Sequence, residues 1–114
     1  MLKKNCLLDI KEAPDGLLVR ITGEIDHHSA VAVRSEIDEK ISALRPLKMV
    51  LDMSDIDFMD SSGLGLIMGR YQRMRAVGGE LILQNPNQRV LKIFKLAGLE
   101  KIVKIEMKEN EYEA

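Results

Sequence analysis

From Cys6 the chain alternates: Cys6, Leu8 and Ile10 fall on one side of an extended segment running to Lys11. After the turn signal "APDG", Leu17, Val19, Ile21 and Gly23 repeat the alternation, predicting a second strand antiparallel to the first. The period then changes. In "HHSAVAVRSEIDEKISAL", Ala30, Val33, Ile37, Ile41 and Leu44 recur at three- and four-residue intervals, which predicts an amphipathic helix ended by Pro46. "KMVLDM" is a short apolar run suited to a buried strand. A second helix begins at "SSGLGLIMGRY", with Leu64, Ile67 or Met68, Tyr71, and Met74 or Arg75 inward. Arg70, Gln72 and Arg73 are expected to face outward, and Gly78 and Gly79 to stop the helix. "ELILQN" reads as a strand, and "PNQRVLKIFKLAG" as a helix with Val90, Ile93, Phe94 and Ala97 inward and Gly98 at its C-terminal cap. "KIVKIEM" is the last expected strand, before an acidic, frayed tail.

Strands and helices that alternate after a hairpin predict an α/β fold with a mixed, mostly parallel sheet flanked by helices. One domain is expected over residues 1–107, with an acidic tail at 108–114. Ligand and partner surfaces of such sheets form at the carboxyl ends of the strands. Two loops are expected there, side by side: "GEIDHHS" (Gly23 to Ser29) and "DIDFMDSSG" (Asp55 to Gly63).

Composition narrows the function. The 114 residues are 46% hydrophobic and 31% charged, enough apolar material for a core in one domain. A net charge of −1 gives no basic surplus, which argues against nucleic acid and anionic membrane as partners. The single cysteine, Cys6, excludes an internal disulfide and suits a reducing compartment; it and most of the methionines read as core. No apolar stretch reaches the length of a membrane span, and charge returns too early after the first lysines for a signal peptide. A cytoplasmic protein is expected.

The chemistry concentrates in "DSSG". Aspartate and serine are preferred helix N-caps, because their oxygens accept the orphan N–H bonds of the first turn. One cap would suffice, yet Asp60, Ser61 and Ser62 stand together. Gly63, Gly65 and Gly69 follow, although glycine in a helix costs up to ~1 kcal/mol relative to alanine. Gly65 and Gly69 share a face and predict close packing on the sheet, whereas Gly63 would leave backbone and hydroxyls open to another molecule. A nucleophilic serine needs a base and an oxyanion hole. Only His27 and His28 could serve as base, and Asp55, Asp57 and Asp60 crowd the serines. The same aspartates would repel a bound phosphate. Adjacent histidines on an extended chain point apart, so with Glu24 and Asp26 they make a poor metal site. A serine here can instead accept a phosphoryl group. The helix N-terminus stabilises the added charge of about −1.5 to −2, while a partner packed over it must desolvate a dianion. The residues alone leave Ser61 and Ser62 equal candidates.

"GEIDHHSA", "FMDSSGLGLIMGRY", "GGELIL" and "FKLAGLEKIV" together resemble the anti-sigma factor antagonists of the STAS family, in particular the sporulation anti-anti-sigma factors of spore-forming Gram-positive bacteria. The resemblance covers nearly the whole chain; Ile25 and Ser29, where relatives often carry Leu and Thr, are conservative departures. It implies a regulatory protein that is not an enzyme and holds no cofactor. Its partner would be an anti-sigma factor with serine kinase activity, which binds the ATP or ADP. The unmodified chain would engage that kinase and release the sporulation sigma factor. Phosphorylation of the first serine of the pair, here Ser61, would switch binding off, and a phosphoserine phosphatase would reverse it. Asp26 matches a position implicated in contacting the kinase, and the expected contact surface comprises Glu24, Asp26, His27, Asp60, Ser61, Ser62, Gly63 and Leu64. The alternatives are a serine hydrolase-like enzyme and a nucleotide-binding STAS domain.

Overall fold

The computed structural model describes residues 6–108, so most of the acidic tail lies outside the described residues. Strand β1 (Cys6–Ala13) pairs antiparallel with β2 (Gly16–Ile25), Cys6 opposite Gly23. Helix α1 (His27–Leu44) leads to β3 (Lys48–Asp52) and β4 (Ile56–Met59). Helix α2 (Ser61–Ala76), β5 (Glu80–Gln84), α3 (Gln88–Ala97), a 3-10 turn at Leu99–Lys101 and β6 (Lys104–Glu106) complete the order. The six strands form one mixed sheet in the order β1-β2-β3-β5-β6, with β4 continuing alongside β2.

Pairings β2–β3, β3–β5 and β5–β6 are parallel, so the chain crosses the sheet in one direction. Right-handed crossovers then place α1, α2 and α3 on the same face. The burial pattern agrees. Val19, Leu51 and Leu83 lie in register across the sheet and share one core cluster with Val33, Ile67 and Phe94 from the three helices. On the opposite face of β2, Leu18 and Arg20 are exposed. No helix among the described residues is long and apolar enough to cross a membrane.

The α1 boundaries follow the hydrophobic period to the residue, and Gly98 caps α3 with φ 74°. Other expectations need correction. "DIDFM" is not all loop, because Ile56–Met59 forms β4. Gly23, at φ 104°, marks a register shift where β2 leaves β3 and takes up β4. Such a positive φ is cheap only for glycine. A four-residue strand beside a bulge has too few positions to show a period. Leu44 and Ala97 are exposed rather than inward, since each ends its helix and core packing stops at Ile41 and Phe94. The last strand is shorter than expected, its first residue taken by the 3-10 turn.

Arg70 is the largest departure: it is 4% exposed, not outward-facing. Helix α2 packs on α1 as well as on the sheet, so its buried arc is wider than a one-sided period predicts. Arg70 Nε lies 2.8 Å from Asp38 Oδ1 on α1, with Arg73 a further 3.8 Å contact to the same carboxylate. The Arg70 contact is an ion pair, not an aligned hydrogen bond, and Arg70 Nη1 has no partner. Burial pulls the guanidinium's pKa below its ordinary value, opposed by the Asp38 charge.

Candidate functional site

Two strand-to-helix junctions stand side by side because β2 and β4 run parallel with Ile25 opposite Met59. Each strand ends in a single aspartate that caps the next helix. Asp60 N–H donates to the Ile25 carbonyl (3.2 Å), tying the junctions together. The expected loop at "GEIDHHS" is therefore almost absent: β2 runs through Ile25, Asp26 is the cap and His27 is already helical.

Asp26 is extended, and its Oδ1 accepts from the N–H groups of His28 (3.0 Å) and Ser29 (2.9 Å). Ser29 Oγ reciprocates by accepting from Asp26 N–H (2.9 Å), completing a capping box. Asp26 and Ser29 thus cap α1 jointly. The Ser29 N–H bond, helped by the Ser29 hydroxyl and His28, holds the Asp26 carboxyl below the ordinary aspartate range. On α2, Asp60 Oδ1 accepts from Ser62 N–H (2.8 Å). A third cap joins the cluster: Asn87 starts α3, and its Nδ2 donates to the Ile56 carbonyl (2.8 Å), anchoring that helix to β4. The sequence signal was present in "NPN", but nothing in it pointed to β4.

The first turn of α2 sorts its small residues by role. Ser61 is exposed, and its hydroxyl makes no hydrogen bond to the described residues. Ser62 is half-buried and lies beside His27 and Arg34 of α1. Gly63 is buried, and a Cβ there would overlap the Met59 side chain. Gly65 and Gly69, by contrast, have nothing within 4 Å of a Cβ position. This reverses the expectation: Gly63 is the packing glycine, and Gly65 and Gly69 are open. At the β4–α2 entry Met59 lies against Gly63, so any side chain there must displace it.

The expected contact residues do converge. Glu24 is exposed at the end of β2, His27 lies in the first turn of α1, and Asp60, Ser61, Ser62 and Leu64 sit at the adjacent start of α2. Leu64 is half-buried against the core. Gly63 is the exception, because it serves the interior. His27 and His28 are helical rather than extended, with ring centroids 5.8 Å apart. Neither hydrogen-bonds to Ser61 or Ser62, so the base-to-nucleophile contact of a hydrolase is not made. Among the described residues no three His, Cys, Asp or Glu side chains group to hold a metal ion. Behind the site Cys6 is fully buried; burial raises its thiol pKa, against a hydrogen bond with Ser29.

Known proteins share this architecture. The anti-sigma F factor antagonist of Paenibacillus polymyxa is 38% identical over 101 residues, covering 89% of this chain and 86% of that one. The anti-sigma-B factor antagonist of Bacillus subtilis (strain 168) is 33% identical over 104 residues, 91% and 94% of the two chains. The solved structure of the anti-sigma factor antagonist SpoIIAA in its unphosphorylated form matches at TM-score 0.78 and 30% identity, covering 94% of this chain and 91% of that one. The phosphorylated form of SpoIIAA, described as a Bacillus cell fate determinant, matches at TM-score 0.73 and 30% identity over 94% and 95%. Residues 8–114 match the model of the STAS domain, and the chain belongs to the STAS-domain family.

Proposed function

We propose that this chain is an anti-sigma factor antagonist whose binding is switched off by phosphorylation of Ser61. One observation carries the reading: of the paired serines, Ser61 alone is exposed, and its hydroxyl makes no hydrogen bond to the described residues. Ser62 is half-buried between the helices, and its N–H is committed to the Asp60 cap. Likeness to anti-sigma F and anti-sigma-B factor antagonists supports the partner class, an anti-sigma factor; the sporulation sigma factor is the one released.

The partner acts as a serine kinase and brings ATP. Ser61 Oγ attacks the γ-phosphorus, the bond to the ADP oxygen breaks, and the hydroxyl proton leaves to a base on the partner. The chain supplies position, not catalysis. It holds the acceptor, exposed, at the N-terminus of a capped helix.

Once formed, the phosphoserine carries about −1.5 to −2 charges. The α2 dipole favours that charge by ~0.3–1 kcal/mol, so the domain has no reason to unfold. That relatives solved in unphosphorylated and phosphorylated forms both match this fold supports a surface switch. The partner, which docks over Ser61 and the cap aspartates, must instead bury an uncompensated dianion beside Asp60, at a cost of several kcal/mol. A phosphoserine phosphatase resets the switch. Both exchanges take place in the cytoplasm.

Incubation with an anti-sigma F factor or an anti-sigma B factor and ATP, followed by mass mapping, tests the assignment. A single phosphate on the peptide containing Ser61, lost in Ser61→Ala, is expected. A phosphate on another hydroxyl, or none from either kinase, refutes it. A serine-reactive fluorophosphonate should leave both serines unlabelled.

A further inference from the structure

We infer that the groove between α1 and α2 is a second anchoring subsite for the same anti-sigma factor, receiving an apolar side chain next to a carboxylate; this rests on the antagonist reading above. The groove is open, has a volume of about 270 Å³, and is lined by His27, Val31, Arg34, Ser62, Gly65 and Leu66 among others. It is continuous with the proposed docking surface, because His27 and Ser62 belong to both.

Two independent features point to an occupant. The first is cost without internal benefit. Gly65 and Gly69 weaken α2, yet nothing beyond the chain neighbours and the helix's own nearby backbone lies within 4 Å of either Cβ position, and neither backbone needs a positive φ. Gly65 lines the groove, so the empty volume beside it is space the fold does not use. Val31 faces it and is 48% exposed, an apolar wall with no partner in the fold.

The second feature is charge. Arg34 has no hydrogen bond or ion pair among the described residues. Further along the same seam Arg70 is buried with Nη1 unpartnered, and Arg73 shares the one carboxylate present, Asp38. Arg34 lines the groove, and Arg70 and Arg73 share Asp38 close enough behind it to feel its charge, so three arginines against one aspartate leave this end of the α1–α2 seam positive. The other end is negative, with Asp26, Asp57 and Asp60 around the helix starts. A partner surface that matches both ends carries a cation toward Asp60, an aliphatic knob over Gly65 and a carboxylate toward Arg34. Such complementarity fixes register as well as affinity.

Binding of immobilised anti-sigma F factor, with anti-sigma B factor in parallel, tests this with wild type, Gly65→Leu, Arg34→Glu and, as a control on α3, Lys92→Glu. Leucine fits the open space and favours helix, so the melting temperature of Gly65→Leu should hold or rise while affinity falls about tenfold or more. Arg34→Glu should lose a similar factor at low salt and less at high salt, and Lys92→Glu should bind like wild type. If wild type binds and Gly65→Leu and Arg34→Glu bind equally well, the subsite is wrong and the antagonist reading stands. If wild type binds neither factor, the antagonist reading falls and takes this partner with it.

Discussion

Ser61 is exposed, whereas Ser62 is half-buried and lines the groove beside α1; one residue of helical rotation separates the proposed acceptor from its neighbour. Ser61→Ala should bind the anti-sigma factor and never switch off. Ser61→Asp should bind more weakly than wild type but better than the phosphorylated form, since it adds only one charge. Calorimetric titration checks both, and equal affinity of Ser61→Asp and wild type would contradict the electrostatic part. Asp26 is both a cap and a proposed contact. Asparagine keeps the capping hydrogen bonds but not the charge, so Asp26→Asn should melt only slightly below wild type at neutral pH while binding less tightly. The acid behaviour has a definite sign. Because the folded carboxyl titrates below its ordinary value, its stabilisation is complete above the unfolded range and fades as pH falls below about 4. The stability difference between wild type and Asp26→Asn should therefore shrink in acid; a difference independent of pH would show that the charge is not held by the cap.

Helix α2 carries two tests of what its small and charged residues do. Gly63→Ala forces a methyl into Met59 and should destabilise by ~1–3 kcal/mol, whereas Gly65→Ala should stabilise by up to ~1 kcal/mol. Denaturant unfolding separates them, and equal effects would mean that the glycines share one role. Arg70→Ala strands Asp38, 16% exposed, between the helices, and should cost ~2–4 kcal/mol. Replacing the pair together, Asp38→Leu with Arg70→Met, should recover most of that loss, since apolar groups of similar size leave no charge unpaired. These residues also mark the limit of what the sequence makes legible. Helix α1 is readable because Val33, Ile37 and Ile41 meet one surface and "DHHS" carries its own cap. Arg70 is not, because its burial depends on Asp38, thirty-two positions away in a different helix. Strand β4 is hidden for a related reason: it exists to continue β2 beyond a bulge, a tertiary demand with no local period. Gly63, Gly65 and Gly69 look alike in the sequence and are told apart only by Met59 beneath the first.

For the whole molecule, strand order explains why the site is where it is. Chain progress across the sheet in one direction puts the starts of α1, α2 and α3 at one end, beyond the carboxyl edges of β2, β4 and β5. This convergence was legible in advance, because alternating strands and helices permit few other arrangements. The relative roles of Ser61 and Ser62 were not legible from the residues, because both fit the first turn and only exposure distinguishes them. On the proposed switch, a platform with its caps satisfied takes a dianion at its rim without refolding, and the penalty falls on docking. The most direct measurement is the affinity of the chain, phosphorylated at Ser61, for its anti-sigma factor, with its melting temperature recorded on the same sample. The expected result is a loss of at least about a hundredfold in affinity with melting nearly unchanged, a difference of ~3 kcal/mol confined to docking. Undiminished affinity, or a loss of affinity accompanied by unfolding, would contradict the switch.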